Sequence, residues 1–138
     1  MKHNPFLLFV VVFSVSVIGC SNHVGLSGRV MYSDNGEPVT TGEVQFLTPT
    51  FIARATIRPD GTFVTGSYKE ADGLPPGTYG VAIVSVDADF NPLVDLKFSS
   101  QATSGLGITI DKTTRDMEFV VDRAPPPPPP MQMPPLRR

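Results

Sequence analysis

Asp87-Ala88-Asp89-Phe90-Asn91-Pro92-Leu93-Val94-Asp95 places four oxygen-bearing side chains within nine residues. Carboxylate and amide oxygens in such a cluster are the ligands calcium takes. Asp-x-Asp-x-Asn is how an EF-hand loop begins, but Pro92 stands where that loop needs a sharp-turn glycine and Phe98 where it needs a bidentate glutamate. The expectation left is a looser calcium site on Asp87, Asp89 and Asp95, set against a plain solvated acidic loop.

Other chemistry has less to work with. His23 is the one histidine outside the first few residues, and Cys20 is the only cysteine of the chain. A nucleophile needs a base held beside it by packing, and His23 falls in a segment expected to be flexible. Paired carboxylates could serve a glycosidase, yet the acidic residues fall mostly in turns and on polar faces. Zinc has no cysteine and histidine cluster to use. An aromatic sugar platform would draw on Tyr32, Tyr68 and Phe90, but there is no tryptophan and strand alternation sends Tyr32 into the core. The glycines are spread one per turn, not gathered into a phosphate cradle. The sequence therefore points to a protein without catalytic residues or a resident cofactor.

Composition narrows the partners. Residues 20–123 carry thirteen acidic against eight basic side chains, a balance of −5. No basic patch exists to neutralise phosphates, which argues against a nucleic-acid partner. With 138 residues the chain suits one domain, and a single cysteine allows no internal disulfide.

The elements that would position these residues are short strands. Residues 25–32 alternate, with Leu26, Gly28, Val30 and Tyr32 on one face; residues 42–47 place Val44 and Phe46 together; residues 52–58 align Ala53, Ala55 and Ile57. Residues 62–68 carry Phe63. Pro75, Pro76 and Gly77 then open a tight turn, with Gly77 free to take positive φ. From Thr78 to Val86 the chain is apolar on both faces, a central strand covered on one side and partly on the other. Residues 87–101 predict a loop with a short edge strand near Leu93–Phe98. Residues 105–110 and 115–122 alternate again, through Ile108 and Ile110 and through Met117, Phe119 and Val121. Asn35-Gly36 and Pro59-Asp60-Gly61 mark turns. Seven strands with turns about every ten residues and no helical period predict an all-β, seven-stranded antiparallel β-sandwich.

Flanking segments differ from this middle. Lys2 and His3 precede an apolar run from Phe6 to Ile18, thirteen residues and too short for a bilayer span of roughly 17–25. The run ends in Val17-Ile18-Gly19-Cys20, which resembles the bacterial lipobox. That resemblance implies cleavage of a signal peptide (residues 1–19) and diacylglycerol and acyl chains, palmitate among them, on Cys20, followed by a linker (20–24). Two or three chains anchor a protein durably. Ser21 after the cysteine favours the outer membrane under the sorting rule known for two-membrane bacteria. Residues 124–138 are proline-rich, with six prolines in succession after Ala124, and predict a disordered polyproline II tail.

Leu26-Ser27-Gly28-Arg29-Val30, Gly36-Glu37-Pro38-Val39, Gly42-Glu43-Val44-Gln45-Phe46, Ile57-Arg58-Pro59-Asp60-Gly61-Thr62-Phe63 and Leu74-Pro75-Pro76-Gly77-Thr78-Tyr79 occur in that order. Together they resemble the carboxypeptidase-regulatory-like domain, and Ala102-Thr103-Ser104-Gly105-Leu106 resembles a signature of small secreted bacterial lipoproteins built on it. The resemblance covers nearly all of residues 25–122. It implies a transthyretin-like (prealbumin-type) Greek-key sandwich over 25–123, accessory and not catalytic, at the cell envelope. The functional expectation is a lipid-anchored, non-enzymatic binding or structural module meeting an envelope protein or glycan. The alternative is a calcium- or carbohydrate-dependent adhesion module using loop 87–95.

Overall fold

The computed structural model describes residues 22–66 and 72–131. Cys20, residues 1–19 of the expected signal peptide, Tyr68 and residues 132–138 of the expected tail lie outside these residues.

Among the described residues the fold is all-β, in two sheets. Strands β1 (Leu26–Tyr32), β4 (Thr62–Val64) and β7 (Thr114–Val121) form one sheet in the order β4-β1-β7. Strands β2 (Glu43–Thr48), β3 (Phe51–Thr56), β5 (Gly77–Val84) and β6 (Leu106–Ile110) form the other, in the order β3-β2-β5-β6. The inward stripes are the ones the alternation names. Leu26, Val30 and Tyr32 of β1, Val44 and Phe46 of β2, Ala53 and Ala55 of β3, and Tyr79, Val81 and Ile83 of β5 are all buried. Phe46 from one sheet meets Phe63 and Phe119 from the other, with ring centroids 6.1 and 6.4 Å away, and Phe63 stacks on Phe119 at 5.8 Å. Three rings spanning both layers centre the dry interior, where each apolar side chain contributes about 1.5–3 kcal/mol by leaving water.

Pairing departs from the expectation of an antiparallel sandwich. β1 and β7 run parallel, in register from Leu26↔Thr114 to Tyr32↔Val121, and the remaining pairs are antiparallel. Parallel neighbours need a crossover, and here the whole intervening chain supplies it. Alternation reports which face a residue occupies but not which strand lies beside it, so this pair was invisible in the sequence. A bulge interrupts it: Leu26 to Gly28 spans two steps while Thr114 to Met117 spans three, and Asp116 takes φ 58° to absorb the extra residue. Gly28 is required opposite the bulge, because a Cβ there would run into the Met117 carbonyl.

Two further expectations change. Leu93–Phe98 is not an edge strand: Val94 makes a single bridge to Arg123, and Leu96–Ser99 is a 3₁₀ turn leading into the one-turn helix α1 (Gln101–Ser104). Asp95 and Ser100, both good cap formers, start the two turns through side-chain bonds to Lys97 N–H and Ala102 N–H. Gly77 begins β5 without positive φ. The left-handed glycine of that connection is Gly73 at φ 83°, while Tyr79 pins the two prolines by donating its hydroxyl to Pro75 O at 2.6 Å.

The 3₁₀ turn and α1 lie over β5, which accounts for its second apolar face. Gln101 packs over Gly80, where a Cβ would meet the Gln101 Cβ at 3.0 Å and displace its side-chain amide. Ser104 donates to Val81 O at 2.5 Å and accepts from Leu106 N–H, and Gly105 ends the helix at φ 67°. Ala82 is fully covered; Val84, beyond the helix, is 36% exposed.

Candidate functional site

Loop 87–95 is a closed turn in which Asp87 faces its own backbone. Its Oδ1 accepts from Asp89 N–H at 2.8 Å and Asn91 N–H at 2.9 Å, and Asn91 Nδ2 donates to Oδ2 at 3.1 Å. The Asn91 side chain first, then the backbone amides, hold the Asp87 carboxyl below the ordinary carboxylate range. Asp95 is committed to capping the 3₁₀ turn. Among the described residues no three His, Cys, Asp or Glu side chains stand together as a metal-holding group. Asp87 and Asp95 thus each hold a separate turn, and Asp89 donates its backbone N–H to Asp87.

The aromatic candidates are dispersed too. Tyr32 is in the core, 6% exposed, while Phe90 stands out at the loop tip, 85% exposed with φ 62°. His23 is half-buried next to Val24, whose N–H donates to Leu74 O at 2.7 Å.

What the fold does assemble is a polar cluster at the pole where β1 and β7 end. Arg123 lays its guanidinium 3.7 Å from the Tyr32 ring centroid. It donates from Nε to Asp34 Oδ2 at 2.9 Å and from Nη2 toward Asn35 Oδ1 at 3.4 Å and Glu37 Oε2 at 3.5 Å. A planar cation with a forked donor set suits a ring face and a rim of carboxylates together. Next to it, Asp122 accepts from Ser33 Oγ at 2.6 Å and pairs with Lys97. The Arg123 hydrogen bond lowers the Asp34 pKa, and the bonds from Lys97 and then Ser33 lower that of Asp122. Lys97 is raised by Asp122, and Tyr32 is raised by burial, partly opposed by Arg123.

Sequence reasoning missed this cluster because its members come from three separate stretches: the turn after β1, the 3₁₀ turn and the end of β7. A signal was available. Asp34, Asn35 and Glu37 crowd one turn, and Arg123 is the single cation between the last strand and the prolines.

A second feature is a shallow groove of about 340 Å³ on the outer face of the three-stranded sheet, beside the bulge. Arg29 and Arg58 line it with Asp116 and Glu118, and Arg29 stands in register between Thr62 and Glu118. Both charge signs are present on an open surface, so it offers polar contacts without a net field.

Chemically, the pole cluster ties chain segments together, with Arg123 and Lys97 paired to Asp34, Glu37 and Asp122. No family model, curated protein or solved structure matches the chain.

Proposed function

We propose that this is a lipid-anchored, non-enzymatic protein of the bacterial cell envelope, a carboxypeptidase-regulatory-like sandwich held at a membrane surface by acyl chains on Cys20. The observation that carries the reading is how soon after Cys20 the chain joins the fold. Val24 already bridges Leu74, with hydrogen bonds of 2.7 and 2.8 Å in the two directions. Only Ser21, Asn22 and His23 lie between, so the anchor stays within about 14 Å of the sandwich even when that stretch is fully extended. A tether of this length keeps the domain on the bilayer, as a surface module requires.

The finer architecture, a seven-stranded Greek-key sandwich of the transthyretin type, is supported by the sheet orders β4-β1-β7 and β3-β2-β5-β6, in which the chain passes repeatedly from one layer to the other. Its role is binding or structural, toward an envelope protein or glycan, at the outer membrane by the Ser21 rule. Labelling cells with a palmitate analogue tests the anchor: wild type takes label and Cys20→Ala does not. Equal label in both refutes it.

A further inference from the structure

We propose that the proline segment 125–131 is a protein-docking ligand, presented from the pole of the sandwich opposite the N-terminal attachment and aimed there by Arg123. That the segment points away from a bilayer rests on the Cys20 anchor; the docking chemistry stands apart from it.

The parallel β1–β7 pair sets the geometry. Gly25 and Leu26 lie beside Thr113 and Thr114 at one end, and Tyr32 lies beside Val121 at the other. The chain therefore enters at one pole and leaves for its tail at the opposite one, about 20 Å away along seven strand residues. The exit is held on two sides. Asp95 N–H donates to Asp122 O at 2.9 Å and Ala124 N–H to Leu93 O at 3.1 Å, while Arg123 is fixed against Tyr32, Asp34 and Glu37. Beyond this grip every residue from Pro125 to Met131 is exposed. Six consecutive prolines hold a polyproline II rod of about 3.1 Å per residue, so residues 125–131 reach roughly 20 Å further out.

Such a rod offers only ring faces and carbonyl acceptors. It has no charge and, through its prolines, no N–H donor. Its complement is a groove lined by flat aromatic side chains whose indole N–H or phenol O–H groups donate to the carbonyls, and a rod already extended loses little entropy on docking. An anionic wall polymer would instead be drawn to Arg137 and Arg138, which follow in the sequence.

The test uses the full-length chain in the cells that make it, with the photocrosslinker benzoylphenylalanine at Met131 or, at the opposite pole, at the exposed Lys112. The expected result is a discrete protein adduct from Met131 and none of that mass from Lys112. Replacing Pro125–Pro130 by a Gly-Ser hexamer of equal length lowers the adduct at least tenfold, and Arg123→Ala lowers it severalfold. No adduct, equal yield with the Gly-Ser tail, or an adduct digestible by a cell-wall hydrolase overturns the docking ligand. An undiminished yield in Arg123→Ala overturns the aiming role. Fractionation and palmitate labelling of Cys20→Ala report the anchor separately, so its failure leaves the Met131 comparison standing.

Discussion

Arg123 caps the ring of Tyr32 from outside the core, its guanidinium carbon 3.7 Å from the ring centroid, while Val121, the β7 register partner of Tyr32, is buried in the core beside it. One contact thereby joins the last residue of β1 to the residue just before the tail.

The Tyr32–Arg123 contact combines charge with a flat stacking surface. Arg123→Lys keeps the charge and loses both the plane and the forked donors, so it recovers only part of the melting temperature lost in Arg123→Ala. The deficit of Arg123→Ala shrinks as sodium chloride rises, because the contacts to Asp34 and Glu37 are solvent-exposed and screened. Thermal melts at low and high salt measure both.

Acid weakens the same pole. Asp34 and Asp122 have folded pKa values below the ordinary 3.8, so the stability they contribute is complete above that value and is lost as pH falls through it toward the folded values. At the alkaline end Lys97 is raised above 10.5, and its contribution is present below that value and lost as pH climbs past it. Denaturation midpoints from pH 7 down to pH 2.5 should fall more steeply in wild type than in Asp122→Asn.

The aromatic trio separates core from surface. Phe46→Ala should cost about 3–5 kcal/mol, since it leaves a cavity between Phe63 and Phe119. Phe90→Ala, at the exposed loop tip, should stay within about 0.5 kcal/mol of wild type. Urea unfolding of the two variants decides.

Two glycines carry different constraints. Gly28→Ala pushes a methyl into the Met117 carbonyl and should prevent β1 and β7 from pairing, giving insoluble or unfolded protein. Gly36→Ala faces open space at φ 71° and should cost only about 1–2 kcal/mol of backbone strain. Expression yield and circular dichroism separate the two outcomes.

Asp87 acts as a turn clasp. Asp87→Ala should lower the melting temperature by the same amount in 5 mM calcium chloride and in chelator, because the lost partners are Asp89 N–H and the Asn91 amides. A calcium-dependent difference would instead return a cation to loop 87–95.

The faces of the strands were legible in the sequence and their neighbours were not. Two-residue alternation placed Val30, Val44, Phe46 and Phe119 inside, because a half-buried strand cannot hide its period. The parallel partnership of β1 with β7 left no local trace, since it joins residues almost ninety positions apart. The one-turn helix over Gly80 was missed for a related reason: four residues are too few to show a helical period, and only the Ser100 cap and Gly105 stop mark its ends. In the acidic loop, spacing alone left a cation site and a solvated turn both open. Carboxylates close in sequence look like shared ligands, whereas Asp87 and Asp95 each serve a separate turn.

Because β1 is flanked by β4 and β7, the earliest strand to leave the ribosome or an export channel is left with one side open until the final strand arrives. Gly25 and Thr113 are 88 positions apart, and the bond between them cannot form on a partial chain. The sandwich therefore has no vectorial route to its native state. Its three-stranded sheet closes only when both ends of the described chain are present, and closure over so long a loop is slow relative to locally wired folds.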